Sequence, residues 1–195
     1  MRYNGGGLIS TTEVLADYLG GYVADGEVFS KTRYNSNHTD QNRTTSFINR
    51  LNSLNLSRLI VVASRGTASA SELIINGLSP HVEVTIIGDS TYGKPVGQVA
   101  FDFCTKRLRP TAFETVNALD EGGYFDGLPV DCPAADNLNV AVGADNDPNI
   151  VAGLAYLANG ACPVAAAGQS KPAGQAFAKD LQVTPSSHWV YSRAL

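Results

Sequence analysis

Apolar positions along this chain recur with two different periods, and the switches between them outline alternating strands and helices. Arg58-Leu59-Ile60-Val61-Val62-Ala63-Ser64 is an almost unbroken apolar run of strand length, the pattern of an internal strand. Val82-Glu83-Val84-Thr85-Ile86-Ile87-Gly88 reads as the next strand, and between the two, Glu72-Leu73-Ile74-Ile75-Asn76-Gly77-Leu78 opens an amphipathic helix. Residues 8–20 predict a helix that stops at Gly20-Gly21, and residues 148–157 predict another. Glu27-Val28-Phe29-Ser30-Lys31-Thr32-Arg33-Tyr34 alternates, as a strand with one wet face does. Residues 35–46 form a polar, asparagine-rich stretch expected to be a loop that could lie near a substrate cleft. The segment 47–57 is weakly helical, and Gln98 to Phe103 and Arg107 to Val116 suggest two further strands that could form a hairpin. Residues 119–135 read as a loop rich in glycine and aromatics. Strands alternating with helices imply an α/β core with a largely parallel sheet.

Chemistry concentrates in the first hundred residues. Thr67-Ala68-Ser69-Ala70-Ser71-Glu72 stands at a strand-to-helix turn, and Lys94 follows Ser69 by 25 positions within Thr91-Tyr92-Gly93-Lys94-Pro95-Val96-Gly97-Gln98. A serine hydroxyl is a poor nucleophile near neutral pH and needs a neighbour to take its proton. Lysine can do this only as the neutral amine, a form that burial favours. A helix start also offers free N–H groups and the positive end of the helix dipole, both suited to a developing oxyanion. Alone, alternating Ser and Ala before a helix suits a simple N-cap, and a Gly-Lys pair suits a solvated turn. Order, spacing and context give them joint weight. The chain opens on Met1-Arg2-Tyr3-Asn4-Gly5-Gly6-Gly7-Leu8, where consecutive glycines let the backbone approach a ligand closely.

Together these three segments resemble the S41 peptidases, the C-terminal processing or tail-specific proteases. That family carries a pattern like Leu-Arg-x-Asn-x-Gly-Gly, then Ser-Ala-Ser-Glu, then Gly-Lys-x-x-x-Gln, and all three occur here in that order. The resemblance implies Ser69 as nucleophile, Lys94 as general base, and Gln98 as the residue that orients the lysine. It implies the Ala70 amide as one oxyanion donor and Gly6 as the second, with Gly5 the nearest alternative. Ser71 and Glu72 are expected to start the helix and support the site. The fold implied is a ClpP/crotonase-like spiral of βαβ units. Pro95 stands where many relatives have glycine, and Gly5 where proline is frequent. The implied activity is that of a serine endopeptidase acting on protein or peptide substrates, near their C-termini. A non-catalytic binding or scaffold module that keeps the fold is the alternative.

Composition narrows the remainder. With 195 residues, 44% of them hydrophobic, the chain can bury one ordinary core. A formal charge of −4 gives no nucleic-acid footprint, and no apolar run reaches the roughly 20 residues of a membrane span. His38, His81 and His188 lack any motif around them and are expected at the surface, and neither a metal nor another cofactor is expected. Of three cysteines, Cys132 and Cys162 sit beside prolines at the two ends of a helical segment and could pair in an oxidising compartment. Cys104 is expected to be buried in a strand or paired with one of them; three reduced thiols are the other possibility. With the family resemblance, this favours a periplasmic or otherwise extracytoplasmic setting. Residues 1–162 are expected to form the protease core, N-terminally truncated and without the PDZ domain that many relatives carry. Residues 163–195, rich in Ala, Gly, Gln, Pro and Ser, are expected to be a linker-like tail.

Overall fold

The computed structural model describes residues 1–163. Its elements are α1 (Ile9–Gly20), β1 (Val28–Tyr34), a short 3-10 turn at Thr39–Gln41, β2 (Arg43–Ser46), β3 (Arg58–Ala63), α2 (Ala70–Leu78), β4 (Glu83–Gly88), β5 (Val96–Gln98), β6 (Phe101–Phe103), β7 (Lys106–Leu108), β8 (Thr111–Val116), β9 (Cys132–Pro133) and α3 (Pro148–Asn159). The expected tail and the histidine at position 188 lie outside the described residues.

The apolar run of β3 pairs in parallel with β4, residue for residue from Arg58↔Glu83 to Ala63↔Gly88, and α2 makes the crossover between them. β9 adds to β4, also in parallel. The expectation of a largely parallel sheet needs correcting, because a second sheet, ordered β2-β1-β8-β5, is antiparallel throughout. Its strands are only partly covered, and antiparallel sheets accept one wet face whereas parallel sheets are covered on both. The described residues thus contain one βαβ unit, β3–α2–β4. β6 and β7 form a separate hairpin, inserted between β5 and β8.

α2 is the centre of the molecule, with every residue from Ala70 to Leu78 buried. Leu73, Ile74 and Leu78 pack with Ala16 of α1, Phe29 of β1 and Phe47. On its other side Ile75 meets Val61, Ala63 and Ile86 of the parallel sheet. Each such aliphatic side chain contributes about 1.5–3 kcal/mol. Gly77 lets the helix approach β1, since a Cβ there would stand 2.3 Å from the Phe29 ring. α3 covers the far face of the parallel sheet through Ala152, which packs with Ile87 and Cys132.

Four local expectations also change. Residues 47–57 are not helical: Asp17 captures the Ile48 N–H and the Arg50 guanidinium, and Tyr18 O accepts from Leu54 N–H, so tertiary bonds replace helical ones. Part of the expected 35–46 loop is strand β2, and no residue of that stretch lines the cavity described below. Cys104 is exposed and unpaired at the β6–β7 turn with φ +50°, while Cys132 and Cys162 form a disulfide. His81 is half-buried and structural, its Nε2 2.9 Å from Val28 O and its ring edge-on to Phe47.

Candidate active site

The sequence places a serine at the point where β3 gives way to α2, and the backbone there is strained. Ser69 has φ 58° and ψ −119°, a conformation that favours glycine, immediately before the first helical residue. Such outliers cost of order 1–3 kcal/mol and persist where surrounding contacts over-determine them. Here the over-determining group is Glu72. Its carboxylate is completely buried and accepts four hydrogen bonds: from Ser69 N–H (2.7 Å) and Lys94 N–H (2.9 Å) on one oxygen, and from Thr91 Oγ1 (2.6 Å) and Gly93 N–H (2.7 Å) on the other. One side chain in the first turn of α2 therefore ties the serine turn to the lysine loop. Thr91 also accepts from Leu128 N–H at 2.7 Å, which pins the 119–135 loop to the same cluster.

Tyr124, from that loop, lies behind the site. Burial first, and the Glu72 charge second, push its hydroxyl well above the usual tyrosine range. The sequence alone gives Glu72 a supporting place and Thr91 no role. The signal for Glu72 was present, a carboxylate within an otherwise apolar helix, but its partners stand 19 to 22 positions downstream.

The glycine run is held against the serine turn from the other side. Ala68 N–H donates to Asn4 O at 3.1 Å, and Thr67 Oγ1 donates to Met1 O at 2.9 Å. Arg2 anchors this segment, its guanidinium buried and bound to both oxygens of Asp147 (3.0 and 2.6 Å) and to Asp136 (3.1 Å). Asp147 in turn caps α3 through Asn149 N–H. Gly6, at φ +97°, comes so near that a Cβ would stand 2.7 Å from Ala68 O and 2.8 Å from Ser69 Cβ. Its N–H donates to Asn4 Oδ1 at 2.9 Å, so in this conformation Gly6 supplies the close approach and not an open donor. The amides of Ala70 and Gly7 have no acceptor among the described residues.

These pieces meet at one cavity of about 610 Å³. Ser69, Ala70, Lys94, Gln98 and Gly6 all line it, with Leu8, Ile9, Leu73, Val96 and Phe113 supplying apolar wall. Within it no hydrogen bond joins Ser69 Oγ to Lys94 Nζ. Among the described residues no three His, Cys, Asp or Glu side chains gather closely enough to hold a metal ion.

The sequence pattern of peptidase family S41 matches residues 1–121, a stretch that contains every residue lining the cavity. The chain belongs to peptidase family S41. As an S41 chain it is similar in fold to a protein of Bacteroides fragilis assigned to the S41 proteases, with a TM-score of 0.74 and 24% identity, over 83% of this chain and 44% of that one. It is also similar to the photosystem II D1 C-terminal processing protease, with a TM-score of 0.53 and 26% identity, over 67% of this chain and 32% of that one. A protein of Parabacteroides merdae assigned as a peptidase gives a TM-score of 0.56 and 22% identity, over 80% and 50% of the two chains. No curated protein matches the sequence. The S41 chain spans half or less of the length of each of these structures. Its β9, α3 and disulfide lie beyond the matched stretch.

Proposed function

We propose that this chain carries the catalytic core of a serine endopeptidase with a Ser69–Lys94 dyad, acting on protein substrates near their C-termini. The observation that carries this reading is the convergence of Ser69, Ala70, Lys94, Gln98 and the glycine run on one cavity. In the reaction, neutral Lys94 takes the Ser69 proton as Oγ attacks the scissile carbonyl. The resulting oxyanion is received by the Ala70 N–H and by an amide of the Gly5–Gly7 run; losing one such donor costs about 100- to 1000-fold in turnover. Lys94 then returns the proton to the leaving amine, and a water that it deprotonates releases the acyl group from Ser69. Gln98, at the end of β5 and on the same cavity wall, orients the lysine.

The preference for C-terminal regions rests on the likeness to the D1 processing protease. An extracytoplasmic setting is supported by the Cys132–Cys162 disulfide, since such bonds persist in oxidising compartments. Among the described residues no helix is long and apolar enough to cross a membrane. In domain terms the reading takes residues 1–162 as the core and 163–195 as a linker-like tail.

The test is cleavage of an unfolded protein such as casein by the wild type, Ser69→Ala and Lys94→Ala. Cleavage by the wild type that both variants lose, with folding retained, supports the dyad. Wild-type rates in either variant overturn it. Silence of all three over several substrates and alkaline pH favours a binding module that has kept the fold.

A further inference from the structure

The cavity wall carries a guanidinium, Arg109, that the dyad does not use. Its lining residues include Lys94 and Arg109 and not one carboxylate. Arg109 stands two residues before β8, whose Phe113 and Thr115 line the same cavity. Its guanidinium makes no ion pair or hydrogen bond among the described residues. Asp102 in the β6–β7 hairpin is engaged elsewhere, since Arg107 holds both of its carboxylate oxygens, at 2.5 and 2.8 Å. Arg107 chiefly, and the charge of Arg109 further, hold that carboxyl below the usual carboxylate range, so Arg109 projects positive potential without being neutralised by a direct partner.

We infer that Arg109 is a specificity-determining residue that receives a carboxylate of the peptide bound in the Ser69 cavity. A planar guanidinium matches a carboxylate in two parallel hydrogen bonds, a fit that an ammonium does not offer. The neighbouring wall of Leu8, Ile9, Val96 and Phe113 takes an apolar side chain, so the favoured peptide carries an apolar residue close to a negative charge. Cationic peptides are rejected, because they would meet the Arg109 guanidinium with no acid in the wall to offset it. The carboxylate has two possible sources, the peptide's own C-terminus or an Asp or Glu side chain. This inference rests on the peptidase reading for its setting, but its test does not depend on turnover.

The experiment compares labelled apolar peptides in two arms: a free C-terminal acid against the C-terminal amide, and an internal Glu against Gln with the terminus amidated. The full chain is used, as wild type, Arg109→Gln and Arg109→Glu, with hydrolysis read as kcat/KM. Binding is read by fluorescence anisotropy in the Ser69→Ala background. Charge-assisted recognition predicts an acid-to-neutral preference of about tenfold or more in the wild type, near unity in Arg109→Gln, and reversed in Arg109→Glu. The arm in which the preference moves identifies the source of the carboxylate. Arg109→Lys should keep the sign of the preference and lose much of its size. Charge-blind wild-type binding and hydrolysis in both arms, or a preference that survives in Arg109→Gln, overturns the inference. Binding that discriminates through Arg109 without any Ser69-dependent hydrolysis would instead sink the peptidase reading and leave the carboxylate site standing.

Discussion

Replacing Glu72 with glutamine changes one oxygen to an NH2 group and should cost the fold more than its size suggests. All four partners of Glu72 donate, and three of them are backbone N–H groups that can do nothing else. The least costly placement of the glutamine points its oxygen at Ser69 and Lys94 N–H and its NH2 at Thr91 and Gly93. Thr91 Oγ1 can rotate to accept, although it then loses the acceptor for its own proton; the Gly93 N–H faces another donor. Two unsatisfied groups at about 1 kcal/mol or somewhat more each give roughly 2–3 kcal/mol. With a urea m-value of about 2 kcal/mol/M, the unfolding midpoint should fall by roughly 1 M at unchanged m. Glu72→Ala strips all four donors of their acceptor and should lose roughly 4 kcal/mol, about 2 M in midpoint. The assay is equilibrium urea unfolding followed by fluorescence and circular dichroism, with the disulfide intact. Peptide hydrolysis should drop at least as sharply, because the serine turn and the lysine loop lose their common anchor. A glutamine variant within about 0.2 M of wild type would refute the account of Glu72 as the tie between them, given m-values near 2 kcal/mol/M.

Two further outcomes follow from the anchored N-terminal segment. Gly6→Ala should abolish most hydrolysis, by about 100-fold or more, because the new Cβ collides with Ala68 O and Ser69 Cβ at a positive φ and pushes the glycine segment off the serine turn; near-wild-type turnover in that variant would contradict the close approach. Arg2 holds the Asp147 carboxyl well below the usual carboxylate range, so the pair stabilises the folded chain fully above the unfolded value of about 3.9, and its contribution is lost as the pH falls further. Asp147→Asn should therefore lose about 3 kcal/mol at pH 7. Its deficit in urea midpoint relative to wild type should narrow below about pH 4, and a deficit independent of pH would count against the ion pair.

What could be read from the sequence, and what could not, divides along sequence separation. Ser69, Ala70, Lys94 and Gln98 sit in short motifs whose residue order survives folding, and the structure brings them to one cavity. The runs of β3, β4 and α2 are legible for the same reason, each carrying its own period within a few residues. Pairing is not local. Nothing within Lys31–Tyr34 says that its partner strand is Phe113–Val116, and that choice makes the second sheet antiparallel. The Arg2–Asp147 pair spans 145 positions, and a lone arginine before a glycine run gives no hint of it. The Gly6 N–H is taken by the side chain of Asn4 two residues earlier, a local bond that the glycine run alone does not announce. Arg109 carries no motif of its own, and only the fold sets it beside Gln98 and Phe113 on the cavity wall.

Complete burial of α2 and complete exposure of the β6–β7 hairpin carry a consequence for time, not only for shape. Amide hydrogens in a helix enclosed on every side exchange with solvent only when the whole domain opens, whereas those of a bare two-stranded hairpin exchange by local fraying. In deuterated buffer the α2 amides should be the last to be replaced, and those of β6 and β7 among the first. Ser69 then sits at the edge of the slowest-opening part of the chain, while the hairpin inserted between Gln98 and Arg109, two residues of the cavity wall, opens among the first.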